Sequence, residues 1–186
     1  MLKGVEERYN RAQTLQIAFS EAYTAQGKTR KPESGTLFLR KPGRMRWQYT
    51  APAGKLILSD GKFFYVVVPD SPRVQKMKTR ESEDMRAPLA FLLGRLRFEK
   101  DFQNFQSKPA GADTVIDADP KSPDLPYSHV EFEVTPQYEI RRVIVTGQDH
   151  SVFDFHFDQE KLNPPLDSKL FQFVAPPGAI VEEAVN

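Results

Sequence analysis

Three histidines, His129, His150 and His156, are the only imidazoles in the chain of 186 residues. Cysteine is absent, which removes disulfides, thiolate metal sites and cysteine nucleophiles together. A metal site would therefore have to be assembled from these histidines with Asp154 or Glu131, since imidazole and carboxylate are the remaining common ligands. His129 and His156 occupy polar positions of alternating segments and His150 sits in a turn, so the expectation is solvated histidines and no metal. Asp113, Asp117 and Asp119 offer carboxylates for acid/base work or cation binding, but beside Gly111 and Pro120 they read as turn residues. The nucleophile elbow, the phosphate-binding loop, the dinucleotide fingerprint, the paired-histidine zinc helix and the calcium loop are all missing. The expectation is a protein that is not an enzyme and needs no cofactor.

Charge narrows the partners. Lys and Arg number 26 against 25 Asp and Glu, a formal net charge of +1, which lacks the basic excess that drives phosphate-backbone binding. Arg40, Lys41, Arg44 and Arg46 form the densest basic cluster, next to Trp47 and Tyr49. Alternation sends the arginines to one side of a strand and the aromatics to the other, so they do not build one stacking platform for nucleic acid. Solvated charge outside and aromatic core inside is the expectation, with no nucleic acid bound. The longest apolar run, Phe63 to Val68, falls far short of the roughly 20 residues of a membrane-spanning helix. Met1-Leu2-Lys3-Gly4 lacks the apolar core of a secretory signal, which leaves either a cytoplasmic protein or a leader that is not part of this sequence.

The elements that position these residues follow from periodicity. The length suits one domain with a real core, while 14 Phe, 6 Tyr and 15 Pro favour sheet and turns. Leu2, Val5, Tyr9 and Ala12 share one face of an opening helix. From Thr14 the period changes to two, placing Leu15, Ile17 and Phe19 on one face of a strand. Gly27 to Pro32 is a polar loop. Gly35 to Arg40 and Arg44 to Thr50 are strands around a Lys41-Pro42-Gly43 turn, the second with Met45, Trp47 and Tyr49 on one face. Lys55–Ser59 and Lys62–Val68 flank Asp60-Gly61, read as a type I′ hairpin turn. Because the second of these strands is apolar at every position, it needs cover on both faces. A weak strand at Val74–Thr79 precedes Pro88 to Gly94, a short helix apolar nearly all round that must cover something. Strands follow at Arg97–Gln106, Ala112–Ala118, Tyr127–Val134, Glu139–Thr146 and Ser151–Asp158. The last alternates Phe153, Phe155 and Phe157 against Val152, Asp154 and His156. Asn163 to Leu170 has room for a last short helix, and Pro176-Pro177-Gly178 ends the regular structure.

The stretch Gly35-Thr36-Leu37-Phe38-Leu39-Arg40-Lys41-Pro42-Gly43-Arg44-Met45-Arg46-Trp47-Gln48-Tyr49, followed by Leu56-Ile57-Leu58-Ser59-Asp60-Gly61-Lys62, resembles the bacterial outer-membrane lipoprotein carrier family, the LolA type. Pro88 to Gly94 and Phe171-Gln172-Phe173 to Pro176-Pro177-Gly178 extend the resemblance over nearly the whole chain, 1–186. It implies a β-rich α+β fold: an incomplete antiparallel β-barrel, a curved sheet around an apolar cavity with short helices as a lid. It also implies a monomeric periplasmic carrier that takes acylated lipoproteins from an inner-membrane ABC transporter and delivers them to an outer-membrane receptor. On this reading Leu15, Ile17, Phe19, Leu37, Leu39, Met45, Trp47, Tyr49, Phe64 and Val66 line the lipid-binding cavity. Leu89, Phe91, Leu92 and Leu93 form the lid. In the family an arginine before the proline of the second turn latches the lid. Lys41 stands there, with three donors on a flexible stem in place of a rigid fork. Met45 stands where some members carry a phenylalanine, and as plain core Met45 and Trp47 would look the same in sequence.

Two neighbouring functions share the fold. The outer-membrane lipoprotein receptor is anchored through an acylated N-terminal cysteine, which this chain lacks. A lipid-sensing regulatory domain usually carries a second domain, for which 186 residues leave no room.

Overall fold

The computed structural model describes residues 1–78 and 96–183. The proposed lid residues Leu89, Phe91, Leu92 and Leu93 lie outside them. Helix α1 spans Leu2–Arg11, followed by strands β1 (Thr14–Ala25), β2 (Lys28–Thr29), β3 (Glu33–Arg40), β4 (Arg44–Ala51), β5 (Ala53–Asp60), β6 (Phe63–Val67) and β7 (Arg73–Lys78). After a helical turn, α2 (Phe98–Asp101), come β8 (Phe102–Ala110), β9 (Asp113–Pro120), β10 (Tyr127–Val134), β11 (Ile140–Gly147) and β12 (Val152–Leu162). A 3-10 turn at Ser168–Phe171 leads to β13 (Ile180–Glu183).

One sheet holds all the strands in the order β13-β7-β6-β5-β4-β3-β1-β12-β11-β10-β9-β8, with β2 a short appendage on β1. Neighbours pair antiparallel except β13 on β7, which is parallel. The sheet is curved and open, with β8 and β13 as its edges. Its concave face follows the alternation of the sequence. The β1–β3 register pairs Leu15 with Leu39 and Ile17 with Leu37, and the β3–β4 register sets Leu37 against Trp47. Inward side chains from both halves join one buried cluster that also takes in Val5 and Tyr9 of α1. Helix α1 is ten residues long, shorter than helices that hold alone in water. Packing of Val5 and Tyr9 into the sheet therefore maintains it.

Both faces of β6 are covered, as its unbroken apolar run requires. Phe64 and Val66 face the inner cluster, while Tyr65 and Val67 join a smaller outer cluster with Leu58 and Val74. The cover outside is the C-terminal segment, where Phe173 stacks on Tyr65 with centroids 4.1 Å apart.

Five expectations need correction. Regular structure does not end at Gly178, because Ile180–Glu183 pairs with β7 and its acidic residues meet Arg73 and Lys76. Arg97–Asp101 is not the start of a strand. Phe98 is drawn into an aromatic set, edge-on to Phe132 at 5.2 Å, and its amide donates to the Glu6 carboxylate at 2.7 Å, so the chain winds one helical turn before β8. The β5–β6 turn carries positive φ at Gly61 alone, 99°, so it is not type I′. Asp60 closes it by accepting from the amides of Lys62 and Phe63 at 2.7 and 2.8 Å. Asp113, Asp117 and Asp119 are strand residues of β9, not turn residues. Arg40 and Arg46 are not simply solvated. They donate to the carbonyls of Leu166 and Leu170, at 3.1 Å for Arg46, and fasten the C-terminal segment across the sheet.

Candidate functional site

All ten residues expected to line a cavity come together. Leu15, Ile17, Phe19, Leu37, Leu39, Met45, Trp47, Tyr49 and Phe64 belong to the inner cluster, and Val66 packs against it half-buried. Rings from neighbouring strands meet among them. Phe19 meets Trp47 edge-on at 4.7 Å and Tyr49 at 5.0 Å, and Trp47 reaches Phe155 at 6.1 Å. Between α1 and the sheet a cavity of about 10 Å³ remains, lined by Tyr9, Ala12, Leu15, Leu39 and Lys41. A wide concavity of about 770 Å³ is lined by Phe19 and Phe157 together with the polar side chains Ser20, Glu133, Arg142, His156 and Asp158.

The sequence reading missed the other wall. Val130 and Phe132 of β10, Ile140 and Val143 of β11, and Phe155 and Phe157 of β12 are as buried as the ten and belong to the same cluster. The signal was the period-two phenylalanine run of β12, whose rings stack nearly parallel at 5.8 and 6.3 Å.

At one end of this interior α1 is fastened by polar contacts. The Lys41 ammonium donates to the carbonyls of Tyr9 and Asn10 at 3.1 and 2.6 Å. These are carbonyls of the last turn, which a helix cannot bond internally, and the positive charge suits the negative end of its dipole. Lys41 thus grips the opening helix. The reason is geometric: the Lys41-Pro42-Gly43 turn follows β3, whose last residues pair with the start of β1, one turn of chain from the end of α1. Partial burial lowers the Lys41 pKa. The Asn10 side-chain amide makes two bonds to the backbone of Leu96, at 3.0 and 3.1 Å. Glu160 of β12 accepts from Tyr9 Oη at 2.6 Å and from Arg8 Nε at 3.0 Å, and the Ile140 amide donates to Tyr9 Oη at 2.9 Å. Burial pushes the Glu160 carboxyl up despite these donors, and raises the Tyr9 phenol well above its ordinary range.

At the other end sits a polar group that alternation places inside. Glu21 continues the inward parity of Leu15, Ile17 and Phe19, and the β1–β3 register sets Glu33 opposite it. Lys55 of β5 bonds Glu33 and lies 3.7 Å from Glu21, while Tyr49 Oη donates to Glu21 at 3.0 Å. Tyr49 reaches across because the residue between them is Gly35, where a Cβ would stand 2.1 Å from the Gln48 carbonyl oxygen. Burial, reinforced by the facing Glu33 and opposed by Lys55 and Tyr49, raises the Glu21 carboxyl to about 7. The phenol of Tyr49 is raised by burial and by Glu21.

The three histidines are not gathered. His156 lies 3.3 Å from Asp154, and His150 is in the β11–β12 turn with φ 64°. His129 bonds Asp119 at 2.8 Å on the outer face. Asp117, His129 and Glu131 bring possible metal-ligand atoms within 4.8 Å of one another. Lys108 lies 3.9 and 3.6 Å from the two carboxylates, so the group already has a counter-cation and reads as a half-exposed ion-pair network.

Comparison with known proteins gives one consistent answer. The family described as outer membrane lipoprotein carrier protein LolA matches residues 10–174. An outer-membrane lipoprotein carrier protein of Proteus mirabilis is 27% identical over 184 residues, covering 97% of this chain and 87% of that one. One from Chromobacterium violaceum is 28% identical over 172 residues, covering 91% and 81%. Among solved structures, the Mycobacterium tuberculosis lipoprotein LppX superposes with a TM-score of 0.54 at 10% identity, over 89% of this chain and 94% of that one. At that identity the likeness concerns the fold.

Proposed function

The chain belongs to the outer-membrane lipoprotein carrier family, and from that premise we propose that it holds the acyl chains of lipoproteins against its inner apolar face. In this reading it works as a monomeric, single-domain periplasmic carrier without a catalytic step. It accepts cargo from an inner-membrane ABC transporter and yields it to an outer-membrane receptor. The observation that carries the reading is the convergence of inward side chains from both halves of the sheet into one apolar cluster under a short helix fastened by polar bonds.

The energetics explain why a fastened cover is useful. Burying one methylene contributes about 0.8 kcal/mol, so a chain of about 15 would gain roughly 12 kcal/mol. Two or three such chains would pass the roughly 18–21 kcal/mol ceiling of non-covalent affinity, and release would be too slow. A loaded state that first parts the inner aromatic contacts and lifts α1 gives up part of that gain. The bonds of Lys41, Asn10, Glu6, Tyr9 and Arg8 are each worth about 1 kcal/mol net, and together they offset part of the acyl burial.

Non-denaturing mass spectrometry of the protein purified from its native host tests this reading: acylated protein should travel with it. Trp47, the only tryptophan, should change its emission when a long-chain acyl ligand is added below its micelle concentration. An empty protein together with an unresponsive Trp47 would overturn the proposal.

A further inference from the structure

For α1 to lift as a body, the chain must turn at the two residues that join it to β1, Ala12 and Gln13, since α1 ends at Arg11 and β1 begins at Thr14. Ala12 is extended, at φ −65° and ψ 132°. Both backbone groups of Gln13 are taken: its amide donates to the Asn163 side-chain oxygen at 2.8 Å, and its carbonyl accepts from the Lys41 amide at 2.9 Å. The Asn163 amide donates to the Thr14 carbonyl at 2.9 Å, and Thr14 Oγ1 donates to the Pro164 carbonyl at 2.7 Å. Asn163 directly follows β12 and stands in the left-handed region at φ 55°, which asparagine tolerates better than most residues. From there the chain crosses the outer face. Arg40 and Arg46 hold the carbonyls of Leu166 and Leu170, Phe171 is buried, and Phe173 stacks on Tyr65. The outer segment therefore begins at the joint of the inner cover. Arg40 and Lys41 are consecutive, one gripping that segment and the other the last turn of α1.

We propose that Asn163 is the positioning residue of this joint, and that the outer segment 163–173 sets how readily α1 lifts. The inference rests on the reading of α1 as the cover of the inner face. A rotation at Gln13 swings its amide away from Asn163, so the joint turns as that bond opens. Freeing the segment from its anchors on the outer face lets Asn163 move and weakens the same bond. The coupling runs both ways by linkage: whatever loosens the segment favours a lifted α1, and a lifted α1 loosens the segment. The two partners of the joint are 150 residues apart in the chain, so only the closing of β12 onto β1 brings them together.

Amide hydrogen exchange of the full chain, read by mass spectrometry, tests the joint. Asn163→Gly accepts the left-handed backbone and removes the side-chain acceptor. Exchange across 2–13 should rise about fivefold while the β5–β6 hairpin keeps the parent rate. Asn163→Asp retains an acceptor oxygen and should show the parent rate across 2–13. Arg46→Met releases the segment at Leu170, and the bonds of Arg46 go to Gln48 and Leu170. Its exchange should rise about twofold across 2–13 as well as across 163–173. A parent rate across 2–13 in Asn163→Gly, or a rise spread evenly over the chain, would overturn the positioning role. A rise in Arg46→Met confined to 163–173 would overturn the coupling. Dodecanoate bound below its micelle concentration, followed by Trp47 emission, should leave Asn163→Gly more slowly than the parent, because the empty closed state is weakened. Dodecanoate that binds neither protein would remove the carrier reading, while the exchange results still decide the joint.

Discussion

At the α1 end of the inner face, Glu160 is held between Arg8 and Tyr9, and the Tyr9 hydroxyl is filled from both sides by Glu160 and the Ile140 amide. At the opposite end Glu21 faces another carboxylate and shares Lys55 with it. Glu21 keeps the inward parity of β1, Glu160 is turned inward past the bulge in the β1–β12 register, and both glutamates are pushed up by burial. The difference lies in the partners. Glu160 has donors of its own, so it serves as an anchor for α1. Glu21 has the Tyr49 hydroxyl but shares Lys55 with a facing carboxylate, so its charge responds to pH. One apolar interior thus has a fastened end and a responsive end, and the burial of a carboxylate does not by itself say which is which.

The sharpest way to break this contrast is truncation. Tyr9→Ala removes a fully buried ring and its hydroxyl from the fastened end and should cost about 3–5 kcal/mol in urea unfolding. Phe153→Ala at the exposed rim should cost less than about 1 kcal/mol. Equal costs would mean that the rim is core as well.

Tyr9→Phe keeps the ring and isolates the polar contribution. The Ile140 amide would be left buried without its acceptor, a loss of about 1–3 kcal/mol by the same measurement.

At the responsive end, Glu21→Gln should change the pH dependence of stability. The folded-state pKa of about 7 stands above the ordinary 4.5, so between these values the folded protein holds a proton that the unfolded chain has released. Stability from this group is complete below about pH 4.5 and is lost as the pH rises toward 7. Unfolding free energies at pH 5 and pH 8 should therefore fall by about 1–2 kcal/mol more in the parent than in Glu21→Gln. Identical slopes would show that Glu21 has a better partner than the geometry gives it.

The smallest effect is expected at Lys41. Lys41→Leu removes two bonds to carbonyls of α1 and should cost about 1 kcal/mol. It should also speed amide exchange across 2–11 about fivefold, with slower release of an acyl ligand because lifting α1 becomes easier. Lys41→Arg should move exchange and release the other way. Unchanged exchange would make Lys41 an ordinary turn residue.

Much of the architecture was legible in residue spacing. The period-two run from Leu15 to Phe19, the Met45-Trp47-Tyr49 face and the phenylalanines of β12 each have one side to bury, and a pleated strand allows a single way to do it. The unbroken run Phe63 to Val68 required two covers, and Phe63–Val67 has them while Val68 at its end is exposed. Spacing was silent where a choice depended on residues far away in the chain. Phe98 turned a strand-like stretch into a helical turn because its aromatic partners come from β8 and β10. Ile180–Glu183 became a strand because β7 offered a free edge.

The same division holds for the site. Alternation decided which side chains of an unbroken strand face inward, Glu21 among them, because parity along a strand is a local property. Tertiary structure decided what that inward position means. It chose which end α1 covers, brought Lys41 to the helix carbonyls, and placed Glu33, not a cation, opposite Glu21. The identity of a cross-strand neighbour is set by register between segments far apart in sequence, and register is fixed by the packing of the whole sheet.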